Sequence, residues 1–165
     1  MHASVPVTTV AHLFEQPQHR VAVASLIHDE FWTAVPGASA ERMAARLADA
    51  RRADALPLCL IATRDGAPIG VINLVDNDDD EHTDWHPWLA GLVVAAPFRG
   101  QGVGALLVRT VTQHAQRLGF ARVYFGTDGP GFYARLGALV HEVPRNGFWF
   151  MRFDLPEGVS RHRRV

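Results

Sequence analysis

The sequence predicts a single α/β domain over residues 1–165, built on a mixed, twisted central sheet with helices on both faces. Three observations carry this. Residues 88–127 read as strand, glycine-rich loop, helix and strand, a βαβ unit whose two strands lie parallel. Residues 56–75 are two apolar runs around Asp65-Gly66, a pair that tolerates the positive φ of a tight hairpin. Residues 139–155 repeat that arrangement around Arg145-Asn146-Gly147. One parallel unit with antiparallel hairpins on either side makes a mixed sheet. At 165 residues with 48% hydrophobic side chains, the chain has material for one real core.

The elements follow in order. A short apolar stretch, residues 5–10, precedes a helix over residues 18–32, where Val23, Ile27 and Phe31 recur every four positions. Ser39 is placed to cap a second helix, with Glu41 in its first turn and Met43, Ala44, Leu47 and Ala48 on one face. That helix is expected to end near residues 51–54. The Asp65-Gly66 hairpin leads through the acidic loop 76–81 to a third strand, residues 88–94. In the helix that follows, Val103, Leu106, Leu107, Val111, Ala115 and Leu118 share a stripe, and Gly119 is a natural left-handed terminator. A strand over residues 121–127, a short helix over 131–136 and a closing hairpin of residues 139–143 and 148–155 complete the chain. Residues 158–165 read as a flexible, solvated basic tail.

Composition narrows the function classes. A formal charge of −1, with both signs interspersed, offers no basic field for nucleic acid or for an anionic membrane. No apolar run approaches the roughly 20 residues of a bilayer span, and the N-terminus lacks a signal-peptide layout, so a cytoplasmic protein is expected. Cys59 is the only cysteine; within an apolar run it reads as a small buried hydrophobe. The pattern of Asp76, Asp78, Asp80, His82 and His86 invites a metal, but a calcium loop needs glycine where Glu81 stands and lacks its closing glutamate here. A solvated acidic loop, with no metal, is the expectation.

Chemistry concentrates in Arg99-Gly100-Gln101-Gly102-Val103-Gly104-Ala105, between an apolar strand and a helix. Glycines let the main chain turn tightly and let a ligand approach it. The first N–H groups of the helix lack intrahelical partners and carry the positive end of its dipole, so the segment suits a phosphate or pyrophosphate. Arg99 adds a positive charge or braces the loop. A Walker loop would need Gly-Lys-Ser/Thr. A dinucleotide fingerprint fits Gly100, Gly102 and Ala105, with Asp128 as ribose partner. It would, however, turn directly off its strand and be followed by further βαβ units.

Arg99-x-x-Gly102-x-Gly104 after LAGLVVAAPF resembles the acetyl-CoA-binding motif of the GNAT superfamily of N-acyltransferases, and Phe132-Tyr133-Ala134-Arg135-Leu136-Gly137 is similar to a second motif of that family. The two span about residues 88–142. Pro97 lies one residue closer to the arginine than the family's pattern has it, and a shortened segment, residues 127–131, replaces a common asparagine. The resemblance implies the family's fold and an acetyl-CoA-dependent N-acetyltransferase. Main-chain groups of Leu92, Val93 and Val94 would pair with the pantetheine arm, and the Val94 N–H would polarise the thioester carbonyl. Amides from Arg99 through Gly100, Gln101, Gly102, Val103, Gly104 and Ala105 would hold the pyrophosphate. Tyr133 would be the general acid. A phenol near pKa 10 does not readily protonate a thiolate whose acid is near 8.5, so the site must lower the phenol's pKa or act through hydrogen bonding.

For the acceptor, the preferred base is His86, just before the third strand, with Glu30, Glu81, His82 and Asp84 as alternatives. The acceptor is an amine of a small molecule or of a peptide, and attack would be direct, within a ternary complex, without a covalent intermediate. The acidic loop would draw a cationic amine inward. Trp85 and Trp88 either flank the acceptor or seal the core. A non-catalytic acyl-CoA-binding or sensing module is the rival reading. No nucleic-acid or membrane partner is expected, and a monomer or homodimer is, the aromatic closing strand being a surface for a second copy.

Overall fold

A computed structural model describes residues 6–157; the basic tail and residue 5 lie outside the described residues. Seven strands form one sheet in the order β1-β2-β3-β4-β5-β7-β6: β1 Thr8–His12, β2 Leu58–Arg64, β3 Ala67–Val75, β4 Trp88–Val94, β5 Arg122–Thr127, β6 Leu139–Arg145 and β7 Phe148–Asp154. All neighbours are antiparallel except β4 and β5. Both hairpin turns have the backbone expected of them: Asp65 and Gly66 adopt φ of 52° and 77°, Asn146 and Gly147 52° and 75°.

Helices α1 (Arg20–Phe31) and α2 (Ala40–Leu47) cover one face, where Val23, Ala24, Ile27 and Leu47 pack with Cys59, Ile61, Val71 and Val93. Helix α3 (Val103–Arg117) and the short α4 (Pro130–Arg135) lie on the other face. There Val103, Leu107, Val111 and Ala115 meet Leu58, Leu60, Ile72, Leu74 and Phe125. Period-two alternation of the central strands thus feeds two cores. Gly70 permits the α3 contact: a Cβ there would come within 3.0 Å of the Leu107 side chain and 3.3 Å of Val103. Ser39 caps α2 as expected, its Oγ accepting from the Arg42 N–H at 3.1 Å.

Several elements differ from expectation. Helix α2 stops at Leu47 and tightens into i→i+3 turns, Asp49 N–H to the Arg46 carbonyl and Ala50 N–H to the Leu47 carbonyl, with Ala50 buried. Phe31 is 51% exposed: the stripe of α1 runs past the sheet at its last residue. The closing strand β7 is an interior strand, hydrogen-bonded by β5 on one side and β6 on the other, so it offers no free edge to a second copy. Cys59 is 2% exposed, and burial pushes its thiol up to about 12, an inert core residue as expected. Among the described residues no helix is long and apolar enough to cross a membrane.

Candidate active site

The site begins with a gap in the sheet. Strands β4 and β5 pair at one position only, Trp88 with Tyr124, after which they diverge. Beyond Trp88 the side of β4 that faces β5 therefore has no strand partner. The Ala95 N–H donates to the Ile69 carbonyl at 2.8 Å on the β3 side. By the alternation of an antiparallel pair, the Val94 N–H turns the other way, into the gap. A bulge sharpens the divergence. Val71 pairs with Val93 but Asn73 with Ala90, so β4 carries one extra residue, and Gly91 adopts φ of 60° within it. A Cβ on Gly91 would lie 2.9 Å from Asn73 Nδ2.

At the C-terminal end of β4, a cavity of about 510 Å³ is lined by Leu92, Val93, Val94, Arg99, Gly100, Gly102, Val103, Gly104 and Ala105, together with Glu30, Phe98 and Phe132. Gly100 and Gly102 adopt φ of 75° and 81°, the left-handed conformation that turns the loop into α3. The first intrahelical bond is Leu106 N–H to Gly102 carbonyl. The N–H groups of Val103, Gly104 and Ala105 consequently point out of the helix end toward the cavity, at its positive pole. Gly104 has a different purpose: a Cβ there would meet the Phe132 ring at 3.2 Å. The two sequence motifs thus touch, α4 resting closely on the first turn of α3, where a side chain at position 104 would press on the Phe132 ring.

Arg99 is a brace: its Nε donates to the Val94 carbonyl at 2.9 Å, and its guanidinium reaches Glu30 at 3.4 Å. Gln101 is turned out of the cavity; its side-chain oxygen accepts from Arg64 at 2.7 Å and its amide donates to the Pro97 carbonyl at 3.4 Å. Only its main chain remains available to a ligand.

A second cavity, about 850 Å³, lies between α1, α2 and the diverging strands, and shares Leu92 with the first. Tyr133 lines it, packed against Phe125 and Phe132 with ring centres 4.4 and 4.9 Å away. Burial first, and then the charge of Asp128, push the phenol up to about 12. Burial and the Asp128 charge thus keep this phenol protonated in the ligand-free site. Gly126 makes room for one wall: a Cβ there would fall 2.6 Å from the Phe148 ring, which lines the cavity.

His86 lies outside both cavities. Its Nδ1 is paired with Asp76 and its ring packs edge-on to Phe120, 5.1 Å away. His82 is also committed elsewhere, with Asp79 and Glu142 each 3.1 Å from its two ring nitrogens. Trp88 is buried, donating from Nε1 to the Trp85 carbonyl at 2.7 Å, while Trp85 stacks on His82 and Tyr124. These tryptophans seal the sheet below the gap and line neither cavity. The sequence reading missed Asn73, Gly91 and Phe148; a glycine within an apolar strand was the available signal for the bulge. Among the described residues no group of three or more His, Cys, Asp or Glu side chains could hold a metal ion.

Residues 24–138 match the family described as Acetyltransferase (GNAT) family. N-alpha-acetyltransferase 80 of mouse (Mus musculus) is 32% identical over 154 residues, covering 88% of this chain and 46% of that protein, so the chain spans under half the length of this curated relative. An aminoglycoside 6'-N-acetyltransferase complexed with coenzyme A superposes with a TM-score of 0.69 at 15% identity, over 91% of this chain and 99% of the other. A GNAT family N-acetyltransferase (YhbS) from Escherichia coli in complex with CoA gives 0.68 at 24%, over 94% and 86%. At these identities the two structures share the fold.

Proposed function

The chain belongs to the acetyltransferase (GNAT) family, and from that membership we propose that it transfers an acetyl group from acetyl-CoA to an amine while both ligands are held. The observation that carries this reading is the opening between β4 and β5, flanked by two cavities that share Leu92. One has free amides at a helix N-terminus and suits a pyrophosphate; the other is large enough for an acceptor. Acetyl-CoA, when bound, supplies an activated acyl group as a thioester. The amides from Gly100 to Ala105 bind its phosphates, with Arg99 holding the loop to β4. Main-chain groups of Leu92, Val93 and Val94 complete the sheet edge along the pantetheine arm, and the Val94 N–H stabilises charge on the carbonyl oxygen.

The amine nitrogen attacks the acyl carbon; the N–C bond forms, the C–S bond breaks, and the electron pair leaves on sulfur. Tyr133 donates a hydrogen bond to that sulfur. Asp128, which lines the acceptor cavity and whose charge reaches Tyr133, takes the ammonium proton directly or through water. His86 would act only through Asp76, since it does not line the cavity. The test is thiol release from acetyl-CoA on addition of primary amines, with both concentrations varied. Intersecting double-reciprocal lines are expected. Parallel lines would replace direct attack with an acyl-enzyme, and CoA binding without turnover of any amine would leave the binding-module reading.

A further inference from the structure

Three polar side chains are buried among the described residues, His12, Thr63 and Asn73. Thr63 has a partner, its hydroxyl lying 2.8 Å from that of Thr9. His12 Nδ1 has none and is closed off within the protein. Asn73, 9% exposed, also makes no side-chain hydrogen bond to a described residue, but it is not closed off: it lines the larger cavity.

Asn73 is central in the sheet, between Cys59 of β2 and Ala90 of β4. By the alternation of a strand it shares a face with Cys59 and Val71, which belong with Ile27 to the apolar core under α1 and α2. At the bulge of β4 its amide lies across that strand in the space a side chain would fill, since a Cβ on Gly91 would come 2.9 Å from Asn73 Nδ2. The next residue, Leu92, is the one both cavities share. An amide without a partner thus stands beside the junction of the two cavities. An apolar side chain of the same shape would suit these walls better, because an unpaired buried amide is destabilising. Packing does not account for Asn73; a polar occupant of the cavity does.

Resting on the acetyltransfer reading above, we propose that Asn73 binds the acceptor, its Oδ1 accepting a hydrogen bond from an N–H of the attacking amine. The chemistry of attack selects this end of the amide. A neutral amine needs its lone pair for the acyl carbon, so it is oriented through its N–H bonds, and a carbonyl oxygen accepts from these without taking the lone pair. As the N–C bond forms the nitrogen becomes cationic, and the same hydrogen bond strengthens toward the transition state. A carboxylate at this position would instead hold the amine as its ammonium ion, which cannot attack.

The experiment compares native protein with Asn73→Leu and Asn73→Asp, using hexylamine as the amine and N-hexylacetamide as its acetylated product. Thiol release from acetyl-CoA gives kcat and KM. Calorimetry gives the affinity for CoA alone and for N-hexylacetamide in the presence of CoA. For Asn73→Leu the expected results are a melting temperature no lower than native and an unchanged CoA affinity. With these go losses of about tenfold in kcat/KM for hexylamine and in affinity for N-hexylacetamide. For Asn73→Asp the acidic limb of kcat should move to higher pH by about one unit. A lower melting temperature or weaker CoA binding in Asn73→Leu would give Asn73 a structural role and overturn the inference. So would native-like kcat/KM or amide affinity in that variant, an unmoved limb in Asn73→Asp, or no binding of N-hexylacetamide to the native protein. The native controls separate the two readings: failure of CoA to bind, or of any amine to release thiol, removes acetyltransfer. The N-hexylacetamide comparison then still decides whether Asn73 meets an N–H in the cavity.

Discussion

Tyr133 holds its proton more tightly than a phenol in water, because burial disfavours the anion and Asp128 adds a like charge. A phenol so raised favours, on the proposed reading, a hydrogen bond to the developing thiolate over full proton transfer to a sulfur whose acid lies near 8.5. Tyr133→Phe is accordingly expected to lower kcat by about 10²-fold, with the CoA dissociation constant unchanged. On the proposed reading the native protein should show no alkaline loss of kcat attributable to this residue below about pH 11. Stopped activity profiles of both proteins decide it: a phenol-dependent fall near pH 8 would mean that the site lowers this pKa. At this scale the sequence was readable where a residue type is tied to one conformation, as with Asp65-Gly66, Asn146-Gly147 and the left-handed Gly100 and Gly102. It was not readable where a role depends on a distant neighbour. Nothing near Gly104 announces Phe132, nothing near Gly126 announces Phe148, and nothing near His86 announces its contacts with Asp76 and Phe120.

Among the elements, the loop between β3 and β4 is solvated as its acidic run predicts, Asp76, Asp78 and Asp80 being exposed. What its sequence does not announce is the clasp in which His82, held by Asp79 of the same loop, reaches Glu142 of β6. Burial alone would lower the His82 pKa; the hydrogen bonds and charges of Asp79 and Glu142 outweigh it and hold the pKa above its usual value. The folded state thus binds this proton more tightly than the unfolded chain. The clasp contributes its full stabilisation below about pH 6.5 and loses it as pH rises through the raised folded pKa. Comparing melting temperatures of native protein and Glu142→Gln should show a gap that is widest at mildly acidic pH and narrows above neutrality. A pH-independent gap would assign Glu142 a packing role only. The helices and hairpins were legible because each is specified by its own period and turn residues. The aromatic stack of Trp85, Tyr124, His141 and Phe150 was not, since it assembles from three segments distant in sequence.

At the scale of the molecule, the decisive feature is a sheet that opens in the middle. Six strand pairings hold it together, and the single parallel one is reduced to Trp88 and Tyr124. The bulge at Gly91 bends β4 away, α3 presents its N-terminus at one mouth, and α1 and α2 roof the other. The βαβ unit and its glycine loop foretold the first mouth, because a strand, a loop and a helix in succession fix their own geometry. The second mouth, formed by residues from 27 to 148, has no local signature. The central claim is that the first mouth holds CoA by its helix amides. It is tested by calorimetric titration of acetyl-CoA and CoA into native protein and into Ala105→Glu. A glutamate in the first turn of a helix favours folding by about 0.3–1 kcal/mol, so loss of binding would not reflect loss of structure. Both ligands should bind the native protein in the micromolar range and the variant at least about 100-fold more weakly, some 2.7 kcal/mol. Native-like affinity in a folded Ala105→Glu, or no affinity in the native chain, would contradict the claim.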